Sequence, residues 1–488
     1  MNFASLPDRR AESAPDGPAV SDGSQSLTNA QLLTRVRAAA SHLQDLGIGS
    51  GDVVALKLRN RVEFVVLLFA AWRLGATVTP VNPSLTDVEV ARQLQDSGAR
   101  LLVVEDGATA AGVATLAVDD LYGEPVDAGL NPQLDSSALA LLIYTSGTTG
   151  APKGVMLDHS NIDAMAAMGC HALDVGPVDR CLLVLPLFHV NAIVVSVLMP
   201  LVAGASVVIA DRFDPKTFFD LVERERPTYF SAVPTIYSML EALPADVRPD
   251  TSSLRYGCCG AAPASPELLT RFEDRYGFPL VEGYGLSEGT CFSTVNPVAG
   301  PRRAGSVGLP LPGQELRIVD ERGTELAPGM DGEVILGGPN VMRGYLGRPE
   351  ETAKTIVDGW LYTGDVGHLD ADGYLILVGR SKDMIIRGGE NIYPKEIEDV
   401  LTADPFVLEA AVIGVPDDKW GEVVVAYVQP RPGVTVDPAA LEALTAQYLS
   451  GYKRPTSFVV VDAIPKNAVG KIDKPSLRAA HAAASCRS

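Results

Sequence analysis

The chain has 488 residues, 47% hydrophobic and 20% charged, a globular composition with length enough for more than one domain. Its net charge of −20 argues against nucleic acid or an anionic membrane as a main partner, so an anionic ligand must be held by local lysines and backbone donors. The first fourteen residues have no apolar centre and do not read as a signal peptide, no stretch is long and apolar enough to span a bilayer, and the six cysteines form no CxxC pair; the expectation is a cytoplasmic protein with reduced thiols.

From Ser26 to Asp106 helices and strands alternate. Thr28 caps a helix with apolar residues at Leu32, Val36, Ala39, Leu43 and Leu46. Strands are expected at Val53–Leu58, Thr77–Val81 and Arg100–Val104, with helices at Glu63–Leu74 and Asp87–Asp96 between them. This is βαβ grammar, which predicts a mainly parallel sheet. Residues 107–137, richer in Gly, Asp and Pro, read as a variable connection.

An apolar run from Ala138 then leads into Tyr144-Thr145-Ser146-Gly147-Thr148-Thr149-Gly150-Ala151-Pro152-Lys153-Gly154. Small hydroxyl residues, three glycines and one lysine leave backbone N–H groups free to point at an anion, and the glycines permit close approach. The spacing matches neither a Walker A loop nor a dinucleotide fingerprint, so the reading is a polyphosphate loop of another kind. Ser160-Asn161-Ile162-Asp163 reads as the capping box of the next helix.

A second alternating series follows. Its strands are expected at Cys181–Leu185, Ser206–Ala210, Thr228–Val233, Leu254–Cys259 and Pro279–Glu282. Its helices are expected at Ala192–Val202, Pro215–Arg224, Ile236–Leu243 and Pro266–Tyr276. The fold class is therefore α/β, with two doubly wound halves that place ligands at the C-terminal ends of strands. From about Val295 short strands and turns indicate a β subdomain. After Arg380 the pattern becomes a compact α+β unit, which places a domain boundary between Ser381 and Lys382 and leaves a frayed Ala-rich tail after Arg478.

Tyr284-Gly285-Leu286-Ser287-Glu288 closes a strand with a ring that can stack on a base and a carboxylate that can hold Mg²⁺; alone it reads equally well as a tight turn. Gly285 to Gly289 also fits G-x-S-x-G, the nucleophile elbow of serine hydrolases, with His368 or His481 as the later histidine. Asp365 can accept both hydroxyls of a ribose, and Arg380 can donate to the ribose or a phosphate. Gly388-Gly389 offers a backbone against which a thin ligand could lie, or a hairpin turn. Lys471 follows a glycine on an exposed loop.

In this order the segments YTSGTTGAPKG, YGLSE, YTGD, GRSKDMIIRGGENIYPKEIE and PKNAVGK, spanning residues 144–471, resemble the adenylate-forming superfamily of acyl-CoA synthetases, peptide-synthetase adenylation domains and firefly luciferase. The resemblance implies a large N-terminal adenylation domain, 1–381, and a small mobile C-terminal domain, 382–488. It implies ATP, Mg²⁺ and CoA as reactants, and activation of a carboxylic acid as an acyl-adenylate before transfer to a thiol. Thr145, Ser146, Gly147, Thr148, Thr149, Gly150 and Lys153 would hold phosphates, and Glu288 the Mg²⁺. Tyr284 would stack on adenine, with Gly260, Ala261 and Ala262 forming the adjacent wall, and Glu282, Gly283, Gly285 and Ser287 would also belong to the nucleotide site. Asp365 and Arg380 would take the ribose. Lys471, His189, Thr145 and Glu288 form the implied catalytic set.

Lys382 matches the hinge, and Gly388, Gly389 and Lys453 the CoA path. The acyl pocket would be lined by His189, Val195, Ser231, Val233, Tyr237, Gly260, Ala261 and Gly283. The segment Leu187 to Asn191 lacks the aspartate of amino-acid-activating relatives, and Gly283 stands where malonate-type relatives carry an arginine, so a fatty or aromatic monocarboxylate is expected. Cys258-Cys259 departs from the Ser or Gly common in relatives. The acceptor is CoA or an acyl or peptidyl carrier protein, and the molecule is a monomer or a homodimer. The outside rival is an ATP-independent serine hydrolase at Ser287.

Overall fold

The computed structural model describes residues 3–106, 112–121, 135–145, 152–262, 264–417, 419–466 and 471–485. Four sheets organise these residues. In the first, Leu139–Thr145, Thr77–Pro80, Val53–Lys57, Ala99–Val104 and Ala114–Ala117 lie parallel, and Lys153–Asp158 and Gly344–Tyr345 extend it antiparallel. In the second, Leu280–Tyr284, Tyr256–Cys259, Tyr229–Ala232, Arg180–Leu183, Ser206–Ile209 and Pro18–Ser21 lie parallel, with antiparallel strands at both edges. The expected parallel grammar holds in both.

Helix Val62–Arg73 shows why such halves fuse. All twelve of its residues are buried, so it has no polar face to give to water. Trp72 donates from Nε1 to the Ala140 carbonyl at 2.9 Å and packs edge-on against Phe3, Phe69 and His159. One continuous apolar core joins residues of the two sheets. A third, antiparallel sheet of Glu315–Val319, Gly332–Gly337, Trp360–Leu369, Ile356–Val357 and Leu375–Arg380 follows. The single turn Ser381–Asp383 then leads into the fourth sheet, built on the long hairpin Val407–Asp417 and Gly421–Pro430 with its own core of Ile385, Ile397, Leu401, Val412 and Val424.

Several local expectations change. The cap before helix His159–Ala172 is Asp158, not Ser160: Asn161 at the third helical position returns its side chain to the Asp158 N–H. Residues 190–202 are not one regular helix, because Val194–Leu198 widens into a π turn between two short α segments. The 107–137 connection contains an edge strand, Ala114–Ala117. The tail is a helix, Lys474–Ser485, held by buried Leu477 and by a 3.0 Å hydrogen bond between Tyr427 Oη and His481 Nδ1. Cys170, Cys181, Cys258, Cys259 and Cys291 are free thiols, and Cys486 lies outside the described residues. Among the described residues no helix is long and apolar enough to cross a membrane.

Candidate active site

The C-terminal ends of the strands converge. Thr145 ends its strand opposite Lys153, which begins the next, so the two residues form the stem of the phosphate loop. Ser146, Gly147, Thr148, Thr149 and Gly150 themselves lie outside the described residues. Lys153 is ion-paired with Glu351, and its amine stands 5.0 Å from the centre of the Tyr345 ring.

Tyr284 is buried at the end of its strand and donates from Oη to Asp365 Oδ2 at 2.7 Å. Burial, with the Asp365 carboxylate beside it, pushes its phenol far above the ordinary range. Arg380 donates from Nε to the other Asp365 oxygen at 2.7 Å. Asp365 and Arg380 are also register partners across a hairpin, so the backbone fixes what the charges then tighten. The Asp365 carboxylate is nearly sequestered, at 5% exposure, yet keeps acceptor capacity beyond these two donors.

Glu288 sits in the one-turn helix Ser287–Gly289. Tyr345 donates from Oη to its Oε1 at 2.8 Å, and its carbonyl accepts from the Met342 N–H. Among the described residues no cluster of three or more acidic, His or Cys side chains could form a metal site.

Lys471, an exposed residue of the C-terminal unit, comes within electrostatic reach of this site. Desolvation first, and then the cations of Arg380 and Lys382, lower its pKa from the ordinary amine value, while Asp365 and Glu288 act in the opposite direction. His189 precedes the helix Val190–Ile193. Burial, reinforced by the Lys471 cation, pushes its pKa down to about 4, so its ring is neutral at pH 7.

Glu282 is buried one strand position from Gly283. Its Oε1 accepts from the Ala264 N–H at 3.2 Å, whereas Oε2 is buried without a hydrogen-bond partner among the described residues. Burial raises its pKa to about 7, against the pull of the Ala264 N–H and of Lys395. An orphaned acceptor at this place fits an exocyclic amine of a base. Gly285 is required by crowding: a Cβ there would fall 2.3 Å from both the Cys291 carbonyl oxygen and the Phe292 Cα. Ala261 takes a positive φ of 66°, which turns the chain sharply after Gly260.

Strand alternation sorts the expected acyl-pocket residues. Ser231, Cys258, Gly260 and Gly283 project from one face of the second sheet, as their registers show. The π turn covers that face: Tyr229, two residues from Ser231, donates from Oη to the Val195 carbonyl, and Ser231 Oγ donates to Asn191 Oδ1 at 3.0 Å. Val233 follows the same strand end. Tyr237 is the exception. It is fully buried on the opposite face, its ring against Phe230 and Phe272 and its Oη on the Cys258 carbonyl at 2.6 Å, so it is core and not pocket wall. Asn191 and Cys258 were absent from the expected lining. Cys258 has the same strand parity as Gly260, a signal present in the sequence.

The remaining predicted residues lie at the junction of the third and fourth sheets and within the C-terminal unit. Lys382 lies in the turn between the third and fourth sheets. Gly388 and Gly389 form the exposed turn of hairpin Ile385–Arg387 and Glu390–Ile392, with φ of 61° and 91°. Trp420 covers Gly388 and carries Arg387 and Lys419 over its ring. Lys453 holds both Glu396 oxygens, at 2.8 and 2.7 Å.

The serine-hydrolase geometry is not found at Ser287. The short turn Ser287–Gly289 runs through left-handed Thr290 into the strand Thr294–Val295 rather than into a helix. His368 is engaged with Asp331, and His481 with Tyr427.

A model of the AMP-binding enzyme family matches residues 7–346, and a model of the AMP-binding enzyme C-terminal domain matches residues 396–471. The chain is 40% identical over 486 residues to a feruloyl-CoA synthase of an Amycolatopsis species, covering 98% of this chain and 99% of that protein. It is 38% identical over 496 residues to an oxalate–CoA ligase of Arabidopsis thaliana, covering 96% and 95%. The crystal structure of ATP-bound MatB from Rhodopseudomonas palustris, 33% identical, superposes with a TM-score of 0.93 over 99% of both chains; the apo structure of MatB gives 0.81 over the same extent. The whole-chain arrangement thus matches the ATP-bound form more closely.

Proposed function

The chain belongs to the AMP-binding enzyme family, and we propose that it is an AMP-forming acyl-CoA synthetase acting on an aromatic or fatty monocarboxylic acid. The observation that carries this reading is that Lys471, from the C-terminal unit, lies within electrostatic reach of His189 and of Asp365, Glu288 and Arg380, with Asp365 locked between Tyr284 and Arg380.

In the first half-reaction a carboxylate oxygen attacks the α-phosphorus of ATP; the new P–O bond replaces the bond to pyrophosphate, which leaves. Asp365, held by Tyr284 and Arg380, accepts the ribose hydroxyls. The free oxygen of Glu282 accepts from the adenine amine. Lys471 spans the acid and the α-phosphate, where its charge opposes the negative charge that builds up. Lys153 exchanges Glu351 for the phosphates. Glu288 would hold a Mg²⁺ carried on the phosphates, and the cation would supply positive charge to offset that of the leaving pyrophosphate.

In the second half-reaction a thiol attacks the acyl carbon and AMP leaves. His189, neutral and close to Lys471, lies between the acid and the thiol. We place two bodies on either side of Ser381 and Lys382. Rotation about Lys382 would withdraw Lys471 and present Gly388, Gly389, Lys453 and the exposed Trp420 ring to CoA.

Relatives of similar likeness are named for ferulate, a monocarboxylate, and for oxalate, a dicarboxylate, so the acid is read from the pocket itself. Val195, Ser231, Cys258, Gly260 and Gly283 are small or apolar, and the polar pair Asn191 and Ser231 is neutral and mutually satisfied. Nothing in that set pairs a second carboxylate.

The test is ATP–pyrophosphate exchange with aliphatic, benzoic, cinnamic and dicarboxylic acids. Exchange with one class, reduced about 100-fold or more in Lys471→Ala, is expected. Undiminished exchange in that variant would refute the assignment. CoA and a carrier protein are then compared as acceptors, with CoA expected to be used.

A further inference from the structure

The placement of Lys471 depends on how the C-terminal unit seats on the large one, and two polar contacts hold that seat. Both fall on one short helix, Pro234–Glu241, of the large unit. At its start, Thr235 Oγ1 accepts from Lys466 Nζ at 3.0 Å. At its end, Glu241 Oε2 accepts from Arg431 Nη1 at 3.1 Å. Lys466 is also paired with Glu409 at 3.1 Å, so the cation is fixed within its own unit before it reaches across. Glu241 is fixed likewise by Arg271, 3.5 Å away. The side chains of Arg431 and Glu241 are only 20% and 16% exposed, so water screens this pair less than an open surface pair.

The geometry points to Thr235, Glu241, Arg431 and Lys466 as positioning residues that clamp the C-terminal unit in the arrangement that delivers Lys471. Lys466 precedes Lys471 by five residues and forms a β-bridge with Ile472, so the Thr235 contact anchors the base of the segment that carries the catalytic amine. The Arg431 contact, at the end of strand Gly421–Pro430, stops the unit from pivoting about that anchor. Neither contact touches the nucleotide or the acid. Each acts by favouring one arrangement of the two bodies over another, which is differential stabilisation. The thioester-forming step, which requires the other arrangement, gains nothing from the clamp. This inference rests on the ligase reading above.

The test separates the half-reactions. Arg431→Glu and Thr235→Val are assayed for pyrophosphate exchange, and separately for conversion of a chemically prepared acyl-adenylate and CoA to thioester. Exchange is expected to fall roughly 5–30-fold, the effect of one to two kcal/mol on a conformational ratio. Thioester formation from the supplied adenylate is expected to hold or rise, with the melting temperature unchanged. Glu241→Gln, which keeps the shape and removes the charge, is expected to lose exchange to a smaller degree. Exchange equal to wild type, or an equal fall in both steps, would overturn the clamp while leaving the ligase assignment intact. A wild-type protein that exchanges with no acid would overturn both.

Discussion

Two desolvated ionisable groups, half-buried His189 and buried Glu282, respond to pH in opposite senses. His189 titrates near 6.5 when unfolded and at about 4 when folded, so between those values the unfolded chain binds more protons. Its contribution therefore destabilises the fold as pH drops through that window. Glu282 titrates near 4.5 unfolded and at about 7 folded, so the folded chain binds more protons there and stability declines as pH rises from 4.5 to 7. Thermal melts between pH 4 and 8 check both signs. His189→Asn is expected to flatten the acid-side loss, by up to roughly 1 kcal/mol per pH unit, and Glu282→Gln to gain stability on wild type as pH rises toward 7. The histidine was legible as a candidate from its neighbours in sequence. Its depressed pKa was not, because that comes from burial and from Lys471, 282 positions later in the chain.

The strand Leu280–Tyr284 and its antiparallel neighbour Thr294–Val295 depend on a single missing methyl. Gly285→Ala would force a Cβ to 2.3 Å from two backbone atoms, where no side chain can rotate away. It is expected to cost roughly 3 kcal/mol of stability, measured by denaturant titration, and to weaken nucleotide binding because Tyr284 moves with its strand. The alternating elements were readable because each is an apolar run closed by a turn or cap. What sequence missed was relational. Asp158 and Ser160 are both good caps, and only the reach of Asn161 selects the first. Strand Ala114–Ala117 is an edge strand, with half its residues only partly buried and one exposed, so it carries a weak apolar signal. Tyr237 follows Val233 by four residues, but the helix start between them carries it to the other face of the sheet. The tail helix owes its order to Leu477 and Tyr427, contacts that no local pattern encodes.

For the whole molecule, the third and fourth sheets are joined through one short turn, Ser381–Asp383. Proline is accepted in the first turn of a helix, so Lys382→Pro suits the present arrangement while restricting any other. It is expected to keep pyrophosphate exchange within about threefold and to slow thioester formation from supplied adenylate more than about tenfold. A parallel loss of both steps would show that Lys382 is not the pivot. Charge acts at the same scale. A chain of net charge −20 must admit a tetra-anion, yet its loop lysine already has Glu351 as a counter-ion and an aromatic ring beneath it. Lys153 is thus a sheathed cation. A small anion such as free phosphate or sulfate brings too few contacts to displace Glu351. On the proposed reading, a triphosphate would reach Lys153 with its sugar and base anchored at Asp365 and Glu282, and the tethered end would win the exchange by local concentration. On that reading the Lys153–Glu351 ion pair would act as a filter that discriminates against small inorganic anions.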